Sequence, residues 1–376
     1  MNDKTKKPEW VPPEGGEEYA SHVMDGVDAR HDGMRGQADS VGGNDSVPRR
    51  RDLTVDDHVS GVLAGDRTIL ARTITLIESN TRAHQDMAQE VLKGLLPNTG
   101  KSIRVGITGV PGVGKSTFID TLGSMLTERG SRVAVLAVDP SSSVTGGSIL
   151  GDKTRMERLA RDPNAFIRPS PAGGTLGGVA RKSRETILVC EAAGFDVLLV
   201  ETVGVGQSEV TGRSMVDFFL LLMIAGAGDE LQGIKRGVME LADALAINKA
   251  DGDNLKRAAI ARAEYERALH YLLPATEGWQ TQAYTCSAVT EEGVLELWDV
   301  IKDFIVKTTS SGAFVHRRTE QILEWLHAMV EEHLRADFFN NPRIKKELPD
   351  IEKAVTIGEL PATSAVEQLV SLFRKT

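Results

Sequence analysis

The chain has 376 residues, of which 41% are hydrophobic and 26% charged, and its formal net charge is −9. This composition is typical of a globular protein with one large domain or two, and the acidic balance argues against a nucleic-acid partner, which needs a basic face. The longest apolar run, 218–225, is much shorter than the roughly 18 residues of a membrane span. The N-terminal segment mixes acids with bases and lacks an apolar h-region. We therefore expect a cytoplasmic protein with no membrane partner, and we predict that Cys190 and Cys286 are reduced thiols in the core.

Composition and periodicity divide the chain into residues 1–52, 53–100, 101–310 and 311–376. The first part is rich in Gly, Pro, Asp and Ser, which predicts a disordered tail, with a docking peptide as the alternative. The second part has apolar residues at helical spacing and predicts a helical subdomain, in which Gly65 and Asp66 mark a break and an N-cap. The last part is helical again, with a break before Pro342.

The third part alternates short apolar runs with helical segments. The apolar runs predict strands at 103–108, 132–138, 197–200, 218–223 and 244–247. Runs that are apolar on both faces are typical of parallel strands covered by helices on both sides. We therefore expect an α/β fold with a mostly parallel sheet flanked by helices, and helical additions at both ends of the chain.

Residues 109–116 fit the phosphate-binding pattern GxxxxGK[ST], between a predicted strand and a predicted helix. Glycines let the backbone N–H groups face phosphates, and the helix N-terminus adds a favourable dipole. Lys115 is expected to reach the β- and γ-phosphates, and Ser116 to bind Mg²⁺. The predicted phosphate site comprises Gly109, Gly112, Val113, Gly114, Lys115, Ser116 and Thr117.

A second motif indicates which base is bound. Asn248, Lys249 and Asp251 belong to an NKxD sequence that follows the last predicted strand. The Asp251 carboxylate can accept hydrogen bonds from N1–H and N2–H₂ of guanine, a donor pair that adenine lacks. Lys249 is expected to lie along the base plane, while Ser287 and Ala288 resemble the short loop whose backbone contacts guanine O6. We predict GTP and GDP, rather than ATP, as ligands.

Acidic residues are expected near the γ-phosphate. Asp139 and Glu201 each follow a predicted strand, at the sheet edge where ligands of α/β proteins bind, and Asp152 lies in the loop between them. We predict that these three acids and Ser116 bind Mg²⁺, with helix caps or solvated charges as the alternative for the acids. Asp152 could orient water instead. Lys115, Asp152 and Glu201 are the predicted catalytic residues.

Two further residues bear on the attacking water. Gly204 is placed to offer a backbone N–H to the γ-phosphate, as in a switch II loop. Gln207 could orient water, but it does not immediately follow Gly204, so the residue that positions the water stays open. Without a fixed water and a cationic partner, we expect slow intrinsic turnover.

Together these motifs resemble the MeaB / ArgK / MMAA family over roughly residues 54–376. The segments that carry the resemblance are 109–116, 138–143, 151–156, 201–209, 228–235 and 248–251. The resemblance implies a P-loop GTPase of the SIMIBI class, homodimeric through its C-terminal arm. It implies a chaperone that gates adenosylcobalamin loading and protects or reactivates methylmalonyl-CoA mutase or a related cobalamin-dependent acyl-CoA mutase. An adenosyltransferase is a further implied partner.

The resemblance also assigns residues. It implies that Lys115, Ser116, Asp139, Asp152 and Glu201 contact the nucleotide and magnesium. It further implies a third switch loop that reports the nucleotide state to the partner. The switch and partner residues are then Gln207, Asp229, Glu230, Gln232 and Lys235. Sequence alone would make 228–237 a polar surface loop, which stays the alternative.

Other functions fit less well. A nickel metallochaperone of the same class needs clustered His or Cys ligands, whereas the eight histidines here are scattered. A small-molecule kinase could use the same P-loop but would not need NKxD. A purely structural module would leave these motifs unused. His58 stands in a DxHxxG string like that of cobalamin-binding domains, and we interpret it as a chance match or a solvated helix start.

Overall fold

The computed structural model describes residues 52–138, 155–169, 176–202, 207–226 and 237–374. The helices are α1 (Val55–Leu63), α2 (Arg67–Glu78), α3 (Arg82–Leu95), α4 (Lys115–Thr127), α5 (Glu157–Arg161), α6 (Leu176–Ala192), α7 (Gln207–Arg213), α8 (Leu255–Leu269), α9 (Val294–Ser311), α10 (Ala313–Asn340), α11 (Pro342–Thr356) and α12 (Ala362–Arg374). The strands are β1 (Ile103–Gly109), β2 (Val133–Val138), β3 (Ala165–Arg168), β4 (Val197–Thr202), β5 (Phe218–Ile224), β6 (Ala244–Asn248) and β7 (Ala283–Thr285).

In the part of the chain that the structure describes, the strands form one parallel sheet in the order β3-β2-β4-β1-β5-β6-β7. The five predicted strands occupy its centre, and the two edge strands, β3 and β7, were not predicted. The sheet flanked by helices confirms the predicted fold class. Because all strands are parallel, their carboxyl ends meet at one edge, which places the segments after β1, β4 and β6 side by side.

The central strands are buried on both faces. On one face, Phe218 of β5 packs edge-on against Phe304 of α9, with ring centroids 5.0 Å apart, and α4 joins the same cluster through Phe118. On the other face, Leu198 of β4 packs in a cluster with side chains of α6 and the N-terminal helices, and α8 covers β6. This two-sided burial explains why the strands read as continuous apolar runs.

Helices α1–α3 form a small bundle on the face that α6 covers. Asp66 caps α2, because its carboxylate accepts from Thr68 N at 2.8 Å and Ile69 N at 3.0 Å, which confirms the predicted cap. His58 was wrongly interpreted as solvated: its side chain is buried, and Nδ1 lies 2.8 Å from Thr73 Oγ1. The histidine sits on the inner face of α1, a position that helical periodicity alone did not assign.

The C-terminal helices begin at the opposite edge of the sheet from the nucleotide motifs. The first turns of α10 carry Arg317 and Arg318, which bind the buried Asp243 and Asp217 before β6 and β5. Beyond those turns, α10 exposes a row of apolar side chains that includes Ile322, Leu323, Leu326, Val330 and Leu334. Helix α10 ends at Asn340 and α11 begins at Pro342, as predicted. No helix in the described ranges is long and apolar enough to cross a membrane.

Candidate functional site: a nucleotide pocket at the carboxyl edge of the sheet

The loop between β1 and α4 has the backbone geometry of a phosphate cradle. Gly109 and Gly114 have φ values of +152° and +94°, a region that side chains disfavour. A Cβ at Gly109 would also lie 2.4 Å from the carbonyl oxygen of Leu222 on β5. Helix α4 starts directly at Lys115, so its N-terminal N–H groups open toward the loop.

Lys115 lies across this loop, where its Nζ donates to the carbonyl oxygen of Gly109 at 2.8 Å. Burial lowers the pKa of the Lys115 ammonium, while the charges of Glu201 and Glu209 act in the opposite direction. A triphosphate at this position would supply much stronger negative charge and favour the ammonium further. The geometry therefore presents a cation at the mouth of an anion-binding loop.

Ser116 and Glu201 come together beside the loop. The Ser116 hydroxyl donates to Glu201 Oε1 at 3.1 Å, although the two residues come from α4 and β4. Strand β4 pairs with both β1 and β2, which brings Glu201 next to the phosphate loop. The predicted magnesium residues Ser116 and Glu201 are thus adjacent, whereas Asp139 and Asp152 lie outside the described residues.

The NKxD motif is joined to the phosphate loop by direct hydrogen bonds. Asn248 Nδ2 donates to the Val113 carbonyl at 2.9 Å, and Lys249 Nζ donates to the Gly112 carbonyl at 2.8 Å. Lys249 adopts a φ of +60°, which is uncommon for a residue with a side chain and turns the chain sharply after β6. The base motif and the phosphate motif therefore form one pocket.

Asp251 is held by the loop after β7. Ser287 Oγ donates to Asp251 Oδ2 at 2.5 Å, and the same hydroxyl accepts from Thr290 N at 3.1 Å. The Ala288 N–H donates to Asn248 Oδ1 at 3.1 Å, which fixes the loop against the motif. These bonds orient the Asp251 carboxylate and hold the loop after β7 beside it.

Sequence reasoning missed supporting residues. Thr121 of α4 is buried and donates its hydroxyl to the Ala288 carbonyl at 2.8 Å, so α4 supports the base loop as well as the phosphate loop. Glu209 of α7 is buried, and its negative charge opposes the lowering of the Lys115 pKa by burial. Burial raises the pKa of Cys286 to about 12, which makes this free thiol a packing residue. Neither contact could be predicted from the sequence, because a single threonine or glutamate on a helix forms no recognisable motif.

The remaining predicted residues are placed as follows. Thr117 is exposed at the start of α4. Gln207 begins α7, but its side chain is outside what the structure describes. Also outside the described residues are Gly204, Asp229, Glu230, Gln232 and Lys235.

The family model described as Methylmalonyl Co-A mutase-associated GTPase MeaB matches residues 70–343, which is more than half of the chain. The chain belongs to the MeaB family. Among its relatives, the GTPase ArgK of Escherichia coli is 47% identical over 318 residues, covering 85% of this chain and 96% of the relative. The mitochondrial methylmalonic aciduria type A homolog of Mus musculus is 44% identical and covers 85% of this chain and 80% of the relative.

The same family relation extends to a solved structure. The crystal structure of the LAO/AO transport system kinase superposes with a TM-score of 0.69 at 40% identity, covering 86% of this chain and 98% of that one. This likeness confirms the P-loop GTPase fold of the SIMIBI class for this MeaB family member. The resemblance inferred from the motifs is therefore confirmed, and the family supports GTPase activity.

Proposed function

We propose that this MeaB family member binds GTP, hydrolyses it slowly with Mg²⁺, and acts as a chaperone of a cobalamin-dependent acyl-CoA mutase. The observation that carries the nucleotide part is the joined pocket, in which NKxD side chains donate to the phosphate-loop carbonyls of Gly112 and Val113. A pocket assembled this way places a base-reading carboxylate at a fixed distance from a phosphate cradle. That fixed distance favours one nucleotide over free phosphate or free base.

Guanine is the base that suits this pocket. The carboxylate of Asp251 is oriented by Ser287 and can accept from the N1–H and N2–H₂ edge of guanine. With adenine, that carboxylate would face a ring nitrogen without a hydrogen and would remain unpaired, a large penalty. The hydrogen bond from Ser287 reduces the entropy that Asp251 loses when GTP binds, since the carboxylate is already oriented.

Magnesium fits the donors that the described residues supply. The Ser116 hydroxyl and the Glu201 carboxylate are hard oxygen ligands beside Lys115, as Mg²⁺ prefers. Asp139 and Asp152 are proposed to complete the set. When bound, Mg²⁺ would neutralise charge that develops on the β- and γ-phosphates. Glu201 would hold the Ser116 hydroxyl in position, and Lys115 would stabilise the γ-phosphate oxygens during phosphoryl transfer to water, with Asp152 orienting that water.

The partner part of the proposal rests on the family. Its model is described as methylmalonyl-CoA mutase-associated, and a mouse relative is named for methylmalonic aciduria. We infer that the nucleotide state gates adenosylcobalamin loading from an adenosyltransferase and protects or reactivates the mutase. The segment 229–235 is proposed to carry that state to the mutase, together with Gln207.

We also propose that the protein is a homodimer through its C-terminal arm, defined as α10–α12. The exposed apolar row on α10, which includes Leu326, Val330 and Leu334, would lose contact with water at such an interface. Equilibrium sedimentation is expected to give twice the chain mass. A monomer at all concentrations would contradict this part of the proposal.

The experiment that tests the main proposal is GTP hydrolysis by the purified protein, alone and with added methylmalonyl-CoA mutase. We expect slow release of phosphate that depends on Mg²⁺ and a large stimulation by the mutase. Hydrolysis without stimulation would leave the GTPase and refute this mutase as partner, with isobutyryl-CoA mutase the next to test. No hydrolysis in either mixture would refute the proposal.

A small-molecule kinase is the second candidate, favoured by the name of the solved relative, a transport system kinase. Transfer of the γ-phosphate to a small-molecule acceptor with ATP, but not with GTP, would establish it. The oriented carboxylate of Asp251 argues against that outcome, since a kinase that uses ATP does not need it.

A further inference from the structure

Helix α7, which follows the predicted switch II loop, and the residues after it connect the nucleotide edge of the sheet, where β4 ends, to the opposite edge, where β5 begins. Strand β4 carries Glu201 beside the phosphate loop and ends at Thr202. Helix α7 follows at Gln207–Arg213. A seven-residue helix is roughly 10 Å long. The chain then enters β5 from the amino edge of the sheet at Phe218. A displacement of the start of α7 near the γ-phosphate would therefore also displace its last residues.

That far end is held by the arm helix α10. Gln321 is buried, and its Nε2 donates to the carbonyl oxygens of Val216 at 2.9 Å and Arg213 at 3.3 Å. Arg184 of α6 braces the contact, because it donates to the Gln321 carbonyl at 2.9 Å and to Ser214 Oγ at 2.7 Å. The carbonyl of Arg213, the last residue of α7, and the carbonyl of Val216, just before β5, thus take a donor from the arm.

A buried charge cluster makes a second connection between α7 and α10. The carboxylate of Asp243 is fully buried and is shared by Arg213 at 3.3 Å, from α7, and Arg317 at 3.2 Å, from α10. The same carboxylate accepts from the Phe219 N–H of β5 at 2.9 Å. Asp243 also follows the predicted third switch segment in the chain.

The packing of α7 on the sheet leaves polar groups unsatisfied. The hydroxyls of Thr108 and Thr202, at the ends of β1 and β4, are buried and have no hydrogen-bond partner in the described structure. Gly212 of α7 rests directly on Thr202, since a Cβ there would lie 2.5 Å from Thr202 Cγ2. Buried hydroxyls without a partner carry a free-energy cost, so α7 packs over a part of the sheet that is not fully satisfied.

We propose that the arm helix α10 positions α7 through Gln321 and Arg317, so that GTP hydrolysis at one edge of the sheet depends on the arm at the other. This proposal rests on the GTPase activity proposed above. Gln321 and Arg317 are positioning residues: they act through Arg213, Val216 and Asp243 and do not touch the nucleotide. Such coupling requires that α7 have two positions and that the contacts from the arm stabilise one of them more than the other.

The chain offers a matched control at the next residue of the arm. Arg318 anchors α10 just as firmly, donating to Asp217 Oδ1 and Oδ2 at 2.7 Å each and to the Ser102 carbonyl at 2.8 Å. These contacts tie α10 to the starts of β1 and β5 and do not involve α7. Gln321→Met removes the donor to the carbonyls of Arg213, the last residue of α7, and Val216. Arg318→Met weakens only the attachment of α10 to the sheet.

Steady-state GTP hydrolysis by the full chain distinguishes the effects of Gln321→Met and Arg318→Met. We expect Gln321→Met to lower kcat about fivefold or more, the effect of roughly one hydrogen bond, with KM for GTP within about twofold of wild type. Arg318→Met should lower Tm at least as much and leave kcat within about twofold. Unchanged kcat in Gln321→Met, or equal losses of kcat in both variants, would overturn the proposal.

Hydrogen exchange provides a second measurement that does not depend on turnover. Peptides covering 207–216 and 313–325 are compared with GDP and with a non-hydrolysable GTP analogue. In wild type the exchange rates of both peptides should differ between the two nucleotides. In Gln321→Met only the exchange rate of peptide 207–216 should differ. An arm peptide that is insensitive to nucleotide in wild type would overturn the coupling, whereas absent hydrolysis with coupled exchange would overturn only the proposed GTPase activity.

Discussion

Lys115 illustrates how one residue depends on its neighbours for its function. Its pKa is lowered by burial, and the charges of Glu201 and Glu209 oppose that effect. Its Nζ donates to the Gly109 carbonyl, which keeps the ammonium within the phosphate loop. The side chain is thus oriented before any phosphate arrives, and little ordering entropy remains to be lost on binding.

Lys115→Ala should lower GTP turnover about 10²- to 10³-fold, because the γ-phosphate loses a buried, oriented cation in the transition state. Phosphate release at saturating GTP measures the effect. Lys93→Ala is the matched control, since Lys93 is an exposed lysine that pairs only weakly with Glu90 on the same helix. Turnover in Lys115→Ala equal to that of Lys93→Ala would rule out the phosphate assignment.

Asp251→Asn should weaken GTP binding about tenfold or more and shift preference toward XTP. The amide offers a donor where guanine also has donors, whereas xanthine presents a carbonyl at that position. Titration with fluorescent GTP and XTP measures both affinities. Ser287→Ala keeps the carboxylate and removes only its donor, so a smaller loss without a change of base is expected. GTP affinity untouched by Asp251→Asn would refute the base assignment.

At the scale of elements, helices α1 and α2 are joined by a buried histidine. The Thr73 hydroxyl donates to the Ile69 carbonyl at 2.8 Å, so its contact with His58 Nδ1 requires that the ring donate from Nδ1. Burial is the main cause that lowers the pKa of His58, with Arg72 contributing and Asp57 opposing. The fold therefore favours the neutral imidazole over the imidazolium.

This preference predicts that acid weakens the helical bundle. The unfolded chain protonates His58 near pH 6.5, whereas the folded protein does so only at lower pH. The stabilisation is present above pH 6.5 and is lost as pH falls through the lowered pKa, because the unfolded state then binds more protons. Wild type should lose more Tm between pH 7.5 and 5.5 than His58→Gln, which cannot titrate. Parallel pH profiles would contradict this assignment.

The elements that sequence predicted are those with a strong local signal. The five central strands have long apolar runs because they are buried on both faces. Strands β3 and β7 were not predicted because they are short strands at the edges of the sheet. Edge strands carry more polar residues, so they lack a long apolar run. The cap at Asp66 and the break before Pro342 were predictable because they depend on neighbouring residues alone.

Across the whole molecule, the residues predicted to bind the nucleotide and those predicted to contact the partner lie mostly on different segments. The described pocket holds Lys115, Ser116 and Asp251, while the predicted partner residues are in 229–235. Arg213 of α7 and Arg317 of the arm both bind Asp243, which follows the predicted third switch segment, so partner binding and arm position are expected to act on the same helix, α7.

Replacing Gln232 and Lys235 together by alanine should leave GTP binding intact but abolish stimulation of hydrolysis by the mutase. The reason is that these side chains are proposed to respond to the nucleotide without binding the base or the phosphate-loop lysine. Hydrolysis is measured with and without the mutase, and GTP affinity serves as the control. Full stimulation of the double variant would discard the switch role.

The sequence by itself was enough to identify the family and to predict the nucleotide class, because the phosphate loop and NKxD act through backbone geometry and hydrogen-bonding groups that a short local string specifies. It also determined the parallel sheet, because burial on both faces leaves a continuous apolar pattern. Only the tertiary structure decided that Ser287 orients Asp251, that Thr121 supports the base loop, and that Gln321 binds the last residue of α7. Each of these contacts joins residues distant in the chain, and a hydrogen bond between distant residues leaves no periodicity in the sequence.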